Sequence, residues 1–487
     1  MFKINKKSIN IIYAYLGQWW ASFLAILCIP FYFKYLGAES FAVIGLLSVG
    51  LSVAAILELG IGNVLSIKFN NLLERIESKK NVQNILKTLE KISLIIGTLI
   101  FIILELFLNI SDSKAAYKNN YIIEMIGVIL ILRVYEGLYR SCLVGLNQQL
   151  YNNKLLIITS SVRYFGALVI AAYQESISLY ILWQILNSVF IVIVLNKKIK
   201  DSLKKTICDT KNITNIDGFW RLAWLNLVLI TINTFYLNID KLALIKSISP
   251  KEFGEYSLCA SAVSVIFLIT IPLTQYIFPE IATLYKRKSY KEIEIIVKYH
   301  NNIIINLLTP ITMLVAIFPE GVIYIWSGDA ELARKIAPIF SILILGTYFN
   351  AISYFNNQIL IAANKIKFNI IIMIMVILIY ILVIINNKNL TSEFVAKVYL
   401  ISNFLYFVKI NFIAHKKKCI NIFEYIINIY KVIIINAIIL LVVFNYRLEN
   451  YSANRIEWFG FLSGTLIISL LISLYIFGRF KSEAQRA

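Results

Sequence analysis

Long apolar runs alternate with short polar segments along almost the whole chain. Most runs are roughly 20 to 28 residues long, the length of an α-helix that crosses a hydrocarbon core of about 30 Å. The pattern predicts a polytopic all-α membrane protein with about fourteen spanning helices. The predicted spans are 8–33, 40–66, 86–109, 120–146, 155–173, 178–196, 218–245, 254–283, 301–326, 336–362, 369–385, 394–413, 423–445 and 457–477.

Composition and charge agree with a membrane protein. Of the 487 residues 59% are hydrophobic and only 15% are charged, whereas about a quarter of a soluble chain is charged. The net charge of +20 could indicate nucleic-acid binding, but the basic residues gather in alternate loops. With an inside N-terminus, the inner segments hold 27 Lys and Arg and the outer loops hold 10. This positive-inside bias predicts that both termini are cytoplasmic and accounts for the charge without nucleic acid.

Neither a metal site nor a separate domain is predicted. The five cysteines have no metal-ligand spacing, and neither histidine lies near a second histidine or a cysteine. Every predicted outer loop has about ten residues or fewer. The apolar run behind the basic start is too long for a signal peptide and is predicted to be the first span. We therefore expect the activity to lie within the membrane, without a cofactor other than a coupling proton or sodium ion.

Two weak internal matches predict a repeat. The segment 33–46 (FKYLGAESFAVIGL) aligns with 245–258 (IKSISPKEFGEYSL), and 143–153 aligns with 360–370 at nearly the same offset. Six spans separate the copies, so both face the same way and form parallel repeats, a feature of transporters that work by alternating access. The predicted divisions are a first lobe at 1–196, an inter-lobe loop at 197–217, a second lobe at 218–413, and two added spans with a tail at 414–487.

Three charged residues lie on one face of the fourth predicted span. Arg133 is at its centre, Glu136 follows at i+3 and Arg140 at i+7. A central arginine disfavours insertion by about 2.5–3.5 kcal/mol, so this face should point into the bundle or a wet cavity. The residues could form a self-paired brace in which Glu136 bridges both arginines. Alternatively, they could offer a guanidinium to a phosphate, which arginine binds through two parallel hydrogen bonds.

Other intramembrane charges are further candidates. Arg163 in the fifth span would make the first lobe more cationic and joins the substrate-binding candidates. Glu58, beside two glycines in the second span, is either an ion-pair partner or a protonatable coupling site. Asp240 and Lys241 in the seventh span are coupling or gating candidates, although Lys241 could instead reach the membrane interface.

Three segments resemble polysaccharide flippases of the Wzx type, in the multidrug/oligosaccharidyl-lipid/polysaccharide (MOP) exporter superfamily. They are ILELGIGNVLSIKF (56–69), NIDKLALIKSISPKEFGEYSL (238–258) and IPLTQYIFPEIATLYKR (271–287). Glu58 stands where aspartate is commoner in the family, and Ala42 and Ile44 stand where the second copy keeps Gly254 and Tyr256.

The resemblance implies a MATE-like fold and a flippase for polyprenyl-diphosphate-linked oligosaccharides. Such a protein would move repeat units to the outer leaflet of the bacterial inner membrane for O-antigen or capsule assembly. Membrane lipids, a polysaccharide polymerase and a chain-length regulator would be its partners. Two alternatives stay open: a cation-coupled drug antiporter of the same fold, and a membrane polysaccharide polymerase or ligase.

Overall fold

All secondary-structure elements assigned in the described residues are helices. The computed structural model describes residues 6–73, parts of 83–102, 120–205, 217–362, 366–387, 389–416, 421–449 and 454–486. The helices are α1 (Lys6–Leu73), α2 (Asn120–Gly145), α3 (Gln149–Gln174), α4 (Ile177–Lys205), α5 (Asp217–Leu244), α6 (Pro250–Val263), α7 (Phe267–Arg287), α8 (Tyr290–Ile317), α9 (Pro319–Ser327), α10 (Ala330–Ala362), α11 (Ile366–Ile385), α12 (Ser392–Lys416), α13 (Ile422–Glu449) and α14 (Arg455–Arg486).

The predicted class of polytopic all-α membrane protein is confirmed. Within the described residues, ten helical segments are long and apolar enough to cross a membrane. One of these segments lies in α1 and contains parts of two predicted spans, 8–33 and 40–66. Another covers both α6 and α7. The prediction of fourteen spans is consistent with this count. The predicted span 86–109 lies partly outside the described residues.

The predicted loop at 34–39 is a single-residue corner. Helix α1 continues through this segment, and only Gly37 leaves the helical region, with φ 80° and ψ 165°. Glycine adopts such angles without the steric strain of a side chain. One glycine therefore replaces the expected loop between the first two spans.

The predicted inner loop 284–300 is largely helical, which corrects its assignment as a loop. Helix α7 runs to Arg287 and α8 begins at Tyr290. Only a short turn separates them, with Lys288 in the left-handed region at φ 59°. Lysine and glutamate favour helices almost as well as leucine does, so a spanning helix continues into water when its sequence turns polar.

The predicted span 301–326 is interrupted near its end. Helix α8 stops at Ile317, and α9 starts at Pro319. Proline disfavours helical angles in the residue before it, and Phe318 accordingly has φ −117° and ψ 49°. A similar local change divides the predicted span 254–283, where a 3-10 turn at Ser264–Ile266 joins α6 to α7.

The chain divides into two compact units, Met1–Glu255 and Tyr256–Ala487. In the first unit, α1 packs against α2, α3 and α5, and α4 packs against α2 and α3. In the second unit, α10 is central and contacts α7, α8, α9 and α12, while α13 and α14 both pack against α8. The lobe boundaries predicted from the repeat stay a prediction.

A close approach inside the first unit involves both copies of the first repeat match, 33–46 with 245–258. A side chain added at Gly254 would collide with the backbone carbonyl of Ala38 and crowd the backbone nitrogen of Ala42. Gly254 and Ala42 are the aligned positions of the two copies. The contact explains why the second copy has glycine where the first has alanine.

Candidate functional site

Three arginines, two from α2 and one from α3, meet at the carboxylate of Glu136. Helix α2 carries Arg133, Glu136 and Arg140 on one face, and α3 brings Arg163 to the same point. Glu136 is 5% exposed and Arg163 is 7% exposed. We call these four residues the arginine cluster. The predicted charged face of α2 therefore lies against the buried Arg163 of α3.

Glu136 accepts hydrogen bonds from all three guanidinium groups. Its Oε2 lies 3.2 Å from Arg133 Nη1 and 3.2 Å from Arg163 Nη2. Its Oε1 accepts from Arg140 Nε at 3.1 Å and from Arg140 Nη2 at 2.9 Å. One carboxylate thus pairs with three cations, so the cluster keeps a net charge of +2.

Two of the arginines are held by further side chains. Arg140 Nη1 donates to Asn152 Oδ1 at 2.9 Å. Arg163 Nε donates to Asn187 Oδ1 on α4 at 3.0 Å, and its Nη2 lies 3.5 Å from Ser188 Oγ. These contacts hold α2, α3 and α4 together. They also leave Arg140 and Arg163 few donors for a ligand.

Arg133 is the least constrained arginine of the cluster. Its hydrogen bond to Glu136 is through Nη1, and its buried Nε has no hydrogen-bond acceptor. Its side chain is 24% exposed, compared with 12% for Arg140 and 8% for Arg163. A guanidinium carries five N–H donors. Arg133 is therefore the member of the cluster with donors left for an anion.

The coupling candidates lie elsewhere in the first unit. Asp240 is buried at 3% exposure on α5, and the neighbouring Lys241 is partly buried. Lys241 forms no ion pair within 4 Å among the described residues. Glu58 lies in α1, but its side chain is not among those that the structure describes.

Sequence reasoning missed the neutral residues that support the cluster. Asn187 and Ser188 lie three and four residues after Gln184, which is also buried, in the sixth predicted span. This spacing places all three on one helix face, and a polar face in an apolar helix was the available signal. Asn152 occurs in the second repeat match, where its aligned partner is Asn369.

A second polar contact in the first unit was also missed. Tyr139 on α2 donates to Glu90 Oε1 at 2.8 Å, and Asn196 Nδ2 lies 3.3 Å from the Tyr139 hydroxyl. Tyr135 donates to the backbone carbonyl of Glu90 at 2.9 Å. Helix α2 thus also forms hydrogen bonds to Glu90 of the third predicted span.

The second unit contains a neutral polar network of paired asparagines. Asn301 on α8 donates to Asn356 on α10 at 2.9 Å, and Asn356 donates to Asn411 on α12 at 2.6 Å. We call the set of paired amides in this unit the asparagine network. Its other pairs are Asn350 with Asn403 at 2.8 Å and Asn428 with Asn302 at 3.2 Å. Within the described residues, the buried polar contacts between helices therefore centre on a charged cluster in the first unit and on paired amides in the second.

The chain is similar in structure to transporters of the MOP superfamily. A structure of the lipid II flippase MurJ in an inward closed conformation aligns with TM-score 0.72 and 14% identity, over 96% of this chain and 99% of that chain. An inward-facing multidrug resistance MATE family transporter gives TM-score 0.58 and 13% identity, over 80% and 94%. A MOP superfamily transporter from Pyrococcus furiosus gives TM-score 0.55 and 14% identity, over 84% and 95%.

No protein-family profile and no curated protein sequence match the chain. At these low identities the structural similarity establishes the fold. The chain has the fold shared by MurJ and the MATE transporters, which confirms the predicted MATE-like fold.

Proposed function

We propose that this protein is a flippase that moves polyprenyl-diphosphate-linked oligosaccharide repeat units from the cytoplasmic to the outer leaflet of the bacterial inner membrane. The product would serve O-antigen or capsular polysaccharide assembly, as in the Wzx-type flippases that the motifs resemble. The protein would not be an enzyme. Both termini would face the cytoplasm, as the distribution of Lys and Arg predicts.

The observation that carries this proposal is the surplus of two positive charges at the arginine cluster. A buried cation in a membrane protein is costly unless it is paired or serves a ligand. Glu136 pairs with all three guanidiniums but neutralises one charge. The headgroup of a polyprenyl diphosphate would supply the missing negative charge, and Arg133 has the free donors to bind it.

The fold supports transport of a lipid-linked cargo. The alignment with a protein named as a lipid II flippase covers nearly the full length of both chains. Structures of multidrug transporters align less well. A cationic cluster would repel the hydrophobic cations of a drug antiporter, so the flippase is the proposal that fits both the fold and the charge.

Energy coupling would use a proton or sodium gradient, since the chain has no nucleotide-binding motif. Glu58 and Asp240 would be the coupling carboxylates, and Lys241 would act with Asp240 in gating. A flux assay in vesicles would test this part. We expect transport to stop when both gradients are collapsed, and unchanged flux would contradict gradient coupling.

Flipping itself is tested in cells that lack the gene. Lipid-linked repeat units should accumulate on the cytoplasmic face of the membrane and fall on the outer face. A plasmid carrying the gene should restore outward delivery. Unchanged outer-face repeat units in the deletion strain would overturn the proposal. Export of a drug, with normal delivery of repeat units, would instead establish the antiporter.

A further inference from the structure

A polar pocket opens between α8 and α13 in the second unit. Its lining includes Glu294, Lys298, Asn301, Asn302, Glu424 and Asn428, and its cavity volume is about 20 Å³. A cavity of about 10–15 Å³ on the same measure holds one water, so the pocket has room for one ion of similar size. This pocket is distinct from the arginine cluster, which lies in the first unit.

Two contacts hold the walls of the pocket together. Lys298 on α8 forms an ion pair with Glu424 on α13 at 2.5 Å. One helical turn further along each helix, Asn428 donates to Asn302 at 3.2 Å. Two contacts between side chains therefore join the walls that α8 and α13 contribute to the pocket.

The pocket holds oxygen acceptors that lack a donor. Asn301 is 2% exposed, and its Nδ2 is engaged with Asn356. Its Oδ1 is buried and has no hydrogen-bond partner. Leaving a buried acceptor unpaired typically costs about 1–3 kcal/mol. The exposed carboxylate of Glu294 forms no ion pair within 4 Å among the described residues.

From this geometry we infer that the pocket binds a monovalent cation, Na⁺ or K⁺. Hard cations take oxygen ligands from carboxylates and amide carbonyls, and Asn301 Oδ1 and Glu294 supply one of each. The two carboxylates and Lys298 leave one net negative charge, which one monovalent ion neutralises. The described residues include no cluster of three or more His, Cys, Asp or Glu that could hold a metal, so a transition metal does not fit.

Thermal unfolding of the purified full-length protein in detergent tests this site without any lipid-linked cargo. NaCl or KCl is titrated against choline chloride at constant ionic strength, and unfolding is followed by tryptophan fluorescence. A ligand that binds only the folded state stabilises it by RT ln(1 + [L]/Kd), so Tm keeps rising with ligand concentration, and a fit gives the half-saturating concentration Kd. We expect such a rise with Na⁺ or K⁺ and none with choline.

Three substitutions on α8 localise the effect. Glu294→Gln removes a ligand at an exposed position, so it should fold and should raise the half-saturating concentration by about tenfold. Glu292→Gln is the matched control, because Glu292 is also exposed but does not line the pocket. Asn301→Asp adds a charge at the buried ligand and should lower the half-saturating concentration.

Three results would overturn the inference. The first is a Tm rise no greater in Na⁺ or K⁺ than in choline. The second is an unchanged response in Glu294→Gln. The third is a response to Mg²⁺ or Ca²⁺ alone. An Arg133→Ala variant should keep the cation response, so failure of the cation site and failure of the proposed flippase are separate outcomes.

Discussion

The two units bury polar side chains in different ways. In the first unit, three arginines converge on Glu136. In the second unit, asparagines pair across α8, α10, α12 and α13. Both arrangements hold apolar helices together, but they differ in what remains after the internal pairs have formed.

An amide carries both donors and acceptors, so a pair of asparagines can satisfy each other without any ligand. Arginine has donors only, and three arginines exceed the capacity of one carboxylate. The asparagine network is therefore suited to bracing, with Asn301 Oδ1 as an exception at the edge of a pocket. The arginine cluster braces α2, α3 and α4 and also keeps a net charge of +2, which the proposed anionic cargo would neutralise. The predicted alternatives for this face, structural and ligand-binding, are thus compatible.

Removing the carboxylate should break the first arrangement most severely. Glu136→Gln leaves three guanidiniums, with that of Arg163 buried, without their counter-ion, and removing one partner of a buried ion pair typically destabilises by about 3–5 kcal/mol. We expect a large fall in the Tm of the purified protein. Glu124→Gln, at an exposed position on the same helix, is the control. A Tm equal to that of the control would show that the cluster does not need Glu136.

Arg133 should separate binding from bracing. Arg133→Ala removes the arginine with the fewest internal bonds, so we expect transport of lipid-linked repeat units to fall by at least about tenfold, equivalent to about 1.4 kcal/mol. Tm should change little. Arg133→Lys keeps the charge but loses the planar fork and should recover only part of the activity. Normal surface polysaccharide in both variants, at matched protein abundance, would exclude Arg133 as a phosphate ligand.

A substitution in the asparagine network should lower stability and leave transport unchanged, the reverse of the result expected for Arg133. Asn356→Ala removes one bond to Asn301 and one to Asn411. Side-chain hydrogen bonds between membrane helices average about 0.6 kcal/mol, so we expect a loss of about 1 kcal/mol in the free energy of unfolding. Transport per folded molecule should be unchanged. Asn386→Ala, at an exposed position, is the control. A specific loss of transport in Asn356→Ala would give the network a role beyond bracing.

A single arginine in the second unit sharpens the comparison. Arg455, at the start of α14, donates from Nε and Nη2 to the backbone carbonyl of Ile325 near the end of α9. The group is exposed, so Arg455→Ala should lower the free energy of unfolding by about 1 kcal/mol or less and leave transport intact. Hydrogen exchange in α14 should rise. Unaltered exchange would show that this arginine does not fix the helix end.

Much of the architecture could be predicted because a membrane imposes strict local rules. The length and apolar character of a run report a spanning helix, and the segments assigned to α2, α10 and α12 follow the predicted spans closely. Segment ends were less predictable. Helices α7 and α8 continue beyond the predicted apolar runs, whereas Gly37 bends α1 without a loop.

In the candidate site, relations within one helix could be predicted from the sequence, and contacts between helices could not. Periodicity alone placed Arg133, Glu136 and Arg140 on one face, because their spacing within one helix fixes their relative direction. Asn187 and Ser188 belong to another helix, 24 and 25 residues from Arg163 in sequence. Their contacts depend on how α3 and α4 pack, and periodicity within a single helix carries no information about packing between helices.

By itself, the sequence determined the membrane environment, the spanning segments and the charged face of α2. These properties follow from the apolar length of each run and from the 3.6-residue turn of a helix. Only the tertiary structure decided that Glu136 has three cationic partners and that Arg133 keeps free donors. Those facts depend on which helices are neighbours, and neighbours are selected by side-chain packing between segments distant in the chain.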